Sequence, residues 1–223
     1  MGSGEGDRLR VDETTRLTRE RERQVTEVAR LHEILDEALV AHLAVVRDGR
    51  PVVLPMACAR DGDSLLLHGS TGGGALRLAT GTPVCVEVTH VDGLVFARTT
   101  FESSMRYRSA VVHGDAEVLS GDDKDRALDV LSDRLFHGRT SEVRRTNRKE
   151  TAATLVLRVP LESASVKIAE GPLEVDPDDH EPRDVWAGIV PISVTAGEPV
   201  AGPDVPDGVP VPESVRRTVA RFR

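Results

Sequence analysis

Apolar residues near the start of the chain recur at three- and four-residue steps. Val25, Val28, Leu35 and Leu39, with His32 between them, form one stripe, which predicts an amphipathic helix over residues 16–41. The dense Arg/Glu alternation at the start of this range is typical of a solvated helix face with i,i+4 pairs. Residues 1–18 show no periodic apolar face and are predicted to be a flexible N-terminal segment.

From residue 42 onward the apolar period changes from 3.6 to 2, which indicates strands. Turn pairs such as Asp48-Gly49 and Asp61-Gly62 separate these strands and predict hairpins. A second amphipathic helix is predicted over residues 122–136. The predicted strands cover residues 42–47, 51–60, 64–68, 84–91, 94–98, 107–119, 151–159 and 164–169.

Short antiparallel strands with few helices predict a mainly β domain with flanking helices over residues 19–170. Closing such a sheet into a small barrel, fully or in part, removes exposed edges. A doubly wound parallel sheet would need a helix after nearly every strand, so the hairpins exclude it.

The composition changes at Gly171. Residues 171–212 hold nine of the thirteen prolines and five glycines, and most of their charges are acidic. A segment of this composition forms an extended connection and does not contribute to a core. We therefore predict a Pro/Gly-rich acidic C-terminal extension over residues 171–223, with a short terminal helix near residues 212–222.

The overall charge narrows the possible partners. With 37 acidic and 29 basic residues the net charge is −8, which disfavours nucleic acid. No apolar run reaches the roughly 18 residues that span a bilayer, and no secretory signal begins the chain. Cys58 and Cys85 form no disulfide framework and lack zinc-ligand spacing. The expectation is a cytoplasmic protein with no metal site, nucleic-acid partner or membrane partner.

A glycine-rich bend is the first candidate for chemistry. The predicted strand ending at His68 runs into Gly69-Ser70-Thr71 and three further glycines, and a short helix follows. Backbone amides at such a helix start, together with two hydroxyls, suit a phosphate group. The alternative is a flexible strand–helix connection without function.

Two strand segments offer further candidates. Arg106 to Ser109 (RYRS) presents an arginine fork for a phosphate or carboxylate, although an arginine paired with an acid explains it equally well. Residues 51–57 (PVVLPMA) contain two prolines, which remove ladder donors and place this strand at an edge, a bulge or a ligand-facing gap. The alternative is an irregular barrel strand.

The order of these segments resembles the pyridoxamine 5′-phosphate oxidase-like family of FMN-binding split barrels. The matching segments are PVVLPMA, LLLHGST, PVCVEVTHVDGLVFAR and MRYRSAVVHGDAEVL, and the likeness is strongest to the flavin-nucleotide-binding branch related to nitroimidazole-resistance reductases. The resemblance implies a homodimer with FMN at the interface between subunits. It also implies a flavin-dependent oxidoreductase that acts on an unknown small molecule.

The resemblance assigns roles to individual residues. The strand at Leu54, Pro55, Met56 and Ala57 would face the flavin ring, and His68 would touch the substrate. The remaining implied contacts are His68, Gly69, Ser70 and Thr71 on the phosphate, ribityl chain and ring edge, Val88 and Thr89 on the floor, Tyr107, Arg108 and Ser109 in the RYRS segment, and Trp186 closing the pocket.

The chain departs from the family at the turn after HGST. Relatives often place Arg or Lys there, whereas this chain has three glycines and Ala75. Backbone amides, Arg77 or Arg108 must then supply the positive potential, which leaves the flavin's identity open. The alternatives are a non-catalytic flavin carrier or sensor, or a split barrel that uses deazaflavin or haem. Residues 181–186 only remotely match the substrate motif of the vitamin B6 oxidases, so that activity is not expected.

Overall fold

The computed structural model describes residues 7–173 and 182–223. Their strands form one antiparallel sheet. The strands are β1 (Gln24–Val25), β2 (Val40–Arg47), β3 (Arg50–Asp61), β4 (Ser64–Ser70), β5 (Pro83–Phe96), β6 (Ser104–Asp115), β7 (Glu117–Val118), β8 (Thr154–Pro160), β9 (Ser163–Ala169) and β10 (Gly188–Pro191). The α-helices are α1 (Val28–Glu37), α2 (Gly74–Leu78), α3 (Gly121–Phe136), α4 (Arg148–Ala153) and α5 (Glu213–Arg221), with 3₁₀ turns at Arg21–Arg23 and Arg139–Ser141.

The sheet runs in the order β1-β9-β6-β5-β2-β3-β4-β8-β7, and β10 pairs with β5. Within the described ranges, the end strands β1 and β7 do not pair with each other, so the sheet does not close. The predicted fold, a mainly β antiparallel split barrel with flanking helices, is confirmed.

Alternation along the strands gives the sheet two faces. The inner face buries Leu43, Val86 and Val112 together with Leu31 and Leu35 of α1. We call the opposite side the outer face. Helix α3 covers one part of the outer face, where Leu131 packs with Leu66 of β4 and others in a second core cluster.

The split in the barrel lies along β3. Residues 50–57 of β3 pair with β2, whereas only residues 58–61 pair with β4. Pro51 and Pro55 therefore lie in the half of β3 that, among the described residues, has a strand neighbour on one side only. Because proline donates no ladder hydrogen bond, it fits such an edge, which is one of the three positions predicted for this segment.

The N-terminal part of the chain differs from expectation. The predicted helix over residues 16–41 is wrong, since α1 occupies only Val28–Glu37. Gln24 instead hydrogen-bonds the backbone of Thr15 and Leu17, and β1 pairs with β9. Within the segment expected to be flexible, Leu9 N donates to Thr26 O and Thr15 is buried. Residues 1–6 lie outside the described residues.

A separate strand over residues 94–98 was also expected, and this is wrong. The register shifts between Val91 and Gly93, and β5 continues through this bulge to Phe96. The extension was expected to be connecting chain, yet it contributes β10, which pairs with Gly93–Phe96 of β5. Among the described residues, no helix is long and apolar enough to cross a membrane.

Candidate functional site

Seven of the sequence-predicted contacts lie in strands and share the outer face. Strand pairing shows which positions share a face, because residues directly opposite each other point the same way. Pro55 pairs with His42, Thr89 with Ser109, and His68 with Val156 of the second core cluster. By alternation the outer-face set is Pro55, Ala57, His68, Ser70, Thr89, Tyr107 and Ser109.

The other strand residues predicted to bind the ligand lie on the inner face. Val88 is 1% exposed within the core, so it cannot form the floor of a site on the outer face. Leu54 pairs with the buried Leu43, and Met56 packs against the same core. Leu54, Met56 and Val88 therefore pack on the core side of the sheet, beneath the outer-face residues. Consecutive strand residues alternate, so only half of each matching segment can contact one ligand.

His68 is the most distinctive side chain on the outer face. It is half-buried, and its Nδ1 is buried without a hydrogen-bond partner among the described residues. Burial lowers the pKa of His68, because the charged imidazolium is poorly solvated there. The ring is therefore neutral at neutral pH and has an unused polar atom. Such an atom is costly to bury and is a natural contact for a ligand.

The glycine bend places its neighbours closely. A Cβ added at Gly69 would lie 2.9 Å from Leu76 Cδ2 and 3.7 Å from Met56 Cε, so a larger residue would clash with the core. Most backbone N–H groups of the bend already donate hydrogen bonds within the protein. Thr71 N donates to Ala153 O at 2.9 Å, and the next two amides both donate to Ser70. The bend therefore has fewer free backbone N–H groups for a phosphate than the sequence predicts.

Arg108 was a candidate for a phosphate contact, and the structure turns it to the inner face. Its guanidinium makes a two-pronged contact with Asp92, both distances being 2.9 Å, and donates to Glu37 at 2.7 Å. The hydrogen bond to Asp92 is the main reason that the pKa of Arg108 is raised. Its side chain is only 17% exposed. Arg108 is thus a structural ion-pair residue, separated by the sheet from Tyr107 and Ser109.

Two polar clusters on the outer face were missed by sequence reasoning. Lys167 of β9 lies 6.0 Å from the centre of the Tyr107 ring and donates to Glu20 at 2.6 Å. This hydrogen bond raises the pKa of Lys167. On the neighbouring strands, Glu87 contacts both His42 and Thr89. In the sequence, Lys167 is a single cation within a short strand of alternating residues. Only the pairing of the strands places it beside Tyr107.

Two further predicted residues lie beside the sheet. Arg77 of α2 is exposed, and within the described chain no ion pair engages it. Trp186 precedes β10, its ring stacks at a tilt on Phe96 with 6.0 Å between centroids, and it is 66% exposed. The pairing of Leu94 with Met105 places Phe96 on the outer face, so Trp186 lies at the end of that face rather than over His68.

Comparison with known proteins agrees with this architecture. The model of the pyridoxamine 5′-phosphate oxidase family matches residues 27–168. The FAD and haem binding protein from Mycobacterium smegmatis is 45% identical, with a TM-score of 0.85 over 88% of this chain and 97% of that chain. The flavocytochrome Anf3 from Azotobacter vinelandii is 30% identical, with a TM-score of 0.87 over 95% and 97% of the two chains.

A more distant likeness concerns the fold alone. A protein assigned to 5-nitroimidazole antibiotic resistance in Bacteroides thetaiotaomicron is 23% identical, with a TM-score of 0.56 over 65% of this chain and 86% of that chain. No curated protein matches significantly. The matched residues cover β2 to β8 and all of β9 except Ala169, and the chain belongs to the pyridoxamine 5′-phosphate oxidase family.

Proposed function

We propose that this protein binds a flavin nucleotide on the outer face, between two copies of the chain, and acts as a flavin-dependent redox protein that also holds haem. The observation that carries the flavin site is His68. Its neutral, half-buried imidazole has an unused Nδ1 beside a glycine where a Cβ would clash. A planar heterocycle on this face would supply the missing hydrogen-bond partner.

Of the two flavin nucleotides, we infer FAD rather than FMN. The terminal phosphate of FMN carries nearly two charges, and the bend has few free amides and an inward-turned Arg108 to meet it. Each of the two phosphates of FAD carries one negative charge, so a single phosphate site needs fewer hydrogen-bond donors and less positive charge. The relative that is 45% identical is named for FAD, which supports the same choice.

When bound, the flavin supplies hydride and electron transfer, and the protein supplies binding, orientation and electrostatics. His68 would fix the ring edge through Nδ1. Lys167, held over Tyr107 and paired with Glu20, gives the outer face an ion pair beside an aromatic ring. Pro55 presents no N–H on the open edge of β3, so that edge offers fewer polar groups to water or to a competing strand.

The homodimer is supported by exposed apolar residues on the same face. Patches of this kind mark interfaces in soluble proteins. They lie at both ends of the face, around its polar centre, and are all at least 40% exposed: Val40, Val46, Val53, Val91, Leu94, Phe96 and Met105. A two-fold pairing through this face would enclose the region of His68 and Tyr107 between subunits.

Haem is proposed because two relatives described above are named accordingly, the 45% identical one as a FAD and haem binding protein and the 30% identical one as a flavocytochrome. The chain can meet the requirements of haem, which are apolar walls and a neutral imidazole with a free ring nitrogen.

The test is the absorption spectrum of the purified protein and mass spectrometry of the molecules released from it. We expect flavin bands, a Soret band and the mass of FAD. His68→Ala should weaken flavin binding about tenfold, as loss of a hydrogen bond to a bound ring implies. His32→Ala, which removes another imidazole with a buried nitrogen that makes no hydrogen bond, should leave flavin affinity unchanged.

Other outcomes would reject parts of this proposal. A protein that neither carries a flavin nor takes up FAD or FMN would reject the flavin site. Release of FMN alone would reject the choice of FAD. A bound flavin that no added reductant or acceptor can turn over would favour the non-catalytic carrier.

A further inference from the structure

A hydrogen-bonded cluster of three side chains lies in the polar centre of the outer face. Glu87 of β5 is its middle member. Its Oε2 lies 3.2 Å from Nδ1 of His42 on β2, and its Oε1 accepts a hydrogen bond from the hydroxyl of Thr89. The side chains of His42 and Glu87 are 48% and 35% exposed, so both are open to a ligand on this face. We call these three residues the Glu87 cluster.

Strand pairing places the Glu87 cluster among residues that the flavin proposal assigns to the ligand. His42 pairs with Pro55 of β3 on one side and with Glu87 on the other. Directly opposed residues of this kind have Cβ atoms about 5 Å apart. Ala57 lies two positions beyond Pro55 on the same face, and Thr89 belongs to the cluster itself. A ligand that spans Pro55 and Thr89 therefore crosses β2 beside His42.

The carboxylate of Glu87 defines the tautomer of His42. An ionised carboxylate only accepts hydrogen bonds, so the hydrogen between the two side chains belongs to Nδ1. The two nitrogens of an imidazole point in diverging directions, and Nε2 of His42 therefore points away from Glu87. Within the described chain no hydrogen bond or ion pair engages this Nε2. An imidazole that is oriented through Nδ1 and free at Nε2 is the arrangement of a proton-transfer histidine.

The other imidazole of the proposed flavin site is poorly suited to carrying a proton. Burial alone lowers the pKa of His68, and within the described residues no carboxylate offsets the charge of its imidazolium. His42 differs because Glu87 lies against its ring and balances the charge that a second ring proton brings. The two histidines therefore suit different tasks: His68 has an unused polar atom for binding a ring, and His42 has the partners needed for proton transfer.

We propose that His42 is the proton donor of the flavin site and that Glu87 is its positioning residue. This proposal rests on the flavin part of the proposed function. It adds the class of substrate, a small molecule such as a quinone that gains a hydride and a proton. A proton donor serves an acceptor of this class, since an acceptor of electrons alone gains no hydrogen.

The atoms and electrons of this step balance. Both electrons and one hydrogen reach the quinone as the hydride that the reduced flavin supplies. The second hydrogen is the proton on Nε2 of the His42 imidazolium: this N–H bond breaks, an O–H bond forms on the acceptor, and the quinone becomes a hydroquinone. Neutral His42 then regains its proton from water.

Stopped-flow oxidation of the flavin-loaded full chain tests the role of His42. The protein is reduced anaerobically with dithionite and mixed with menadione, a quinone, or with ferricyanide, which gains an electron only. His42→Gln keeps an N–H group for Glu87 but has no proton to transfer. It should slow menadione reduction by about 100-fold or more, as loss of a general acid implies, and leave the ferricyanide rate unchanged. Equal slowing with both acceptors, or an unchanged menadione rate, would overturn the proposal.

His113→Gln is the matched control. His113 also lies on the outer face, but it pairs with Cys85 and Ser163, neither of which is a predicted flavin contact. Its substitution should change neither rate. Menadione reduction that falls as far in His113→Gln as in His42→Gln would overturn the assignment to His42.

The positioning role of Glu87 has a readout that needs no flavin. Nitrogen-15 NMR of the full chain distinguishes the two tautomers of a neutral imidazole. His42 should carry its hydrogen on Nδ1, and Glu87→Ala should move most of it to Nε2, because the hydrogen bond that fixes the tautomer is lost. The same tautomer with and without the Glu87 carboxylate would overturn the positioning role.

Failure of this proposal is distinguishable from failure of the proposed function. A protein that takes up no flavin overturns the flavin site and the proton donor together. Flavin uptake combined with menadione reduction that is insensitive to His42→Gln overturns the proton donor and leaves the flavin site in place.

Discussion

Gly69 is constrained by the packing behind the bend as well as by any ligand in front of it. Its added Cβ would approach Leu76 Cδ2 to 2.9 Å, and Leu76 is only 4% exposed. We predict that Gly69→Ala lowers the free energy of unfolding by about 1–3 kcal/mol through overpacking. Urea denaturation of the protein without flavin measures this effect directly.

Gly74, five residues further along, is the matched control. It begins α2, its φ is not positive, and a Cβ there would meet nothing within 4 Å. Gly74→Ala should be neutral or stabilising by up to about 1 kcal/mol, because it reduces the freedom of the unfolded chain. Equal destabilisation by both substitutions would show that the crowding at Gly69 is not the cause.

Individual residues also show which parts of the site could be predicted from the sequence. Most motif residues were identified correctly as strand positions, although Gly69 and Ser70 were assigned to the bend and instead end β4. The implied contacts also included neighbours such as Val88 and Thr89, which alternation places on opposite faces. Arg108 could be read equally as a phosphate ligand or an ion-pair residue. Its partners Asp92 and Glu37 are 16 and 71 positions away, so only the fold could decide between the two.

At the scale of elements, the N-terminal end of α5 is attached through one carboxylate, that of Glu142. Hydrogen bonds from Ser214, first its hydroxyl and then its N–H, lower the pKa of Glu142. The carboxylate is therefore favoured in the folded state, and its contribution is fully present above the ordinary pKa of a glutamate, about 4.3. That contribution is lost as the pH falls through the lower, folded-state value.

We predict that the N-terminal turn of α5 loosens as the pH falls below about 4.3 and that Glu142→Gln loosens it already at neutral pH. Hydrogen-exchange protection of α5 amides, corrected for intrinsic exchange rates, measures both effects. Glu117→Gln is the control, because Glu117 makes an exposed pair with Arg158 far from α5. Protection of α5 that is independent of pH in both the wild type and Glu142→Gln would contradict the prediction.

The elements themselves were predictable where one period persisted over many residues. The strands from β2 to β9 have alternating apolar residues and turn pairs, and α3 has a clear stripe. Residues 16–27 have charges compatible with a helix, yet pairing of β1 with β9 and the side chain of Gln24 hold them in another conformation. Strand β10 is four residues long and exists only through its pairing with β5, so no local pattern could reveal it.

For the whole molecule, the main consequence of the split barrel is an outer face with a polar centre and apolar ends. Val53 of β3 is 58% exposed and lies in the half of that strand with no second neighbour among the described residues. Burying a carboxylate in an apolar interface without a partner costs several kcal/mol, whereas an exposed one costs little. Val53→Asp therefore separates association from folding.

We predict that the wild-type chain sediments as a dimer and that Val53→Asp shifts it toward monomer at the same concentration. The unfolding midpoint of the separated chain should change little, because the side chain is exposed within one chain. Flavin retention should fall with the dimer, since the proposed site lies between two copies. Val200→Asp, at a 93% exposed position in the extension, should alter neither property. A Val53→Asp protein that stays dimeric and keeps its flavin would show that the copies associate elsewhere and that one chain binds the cofactor alone.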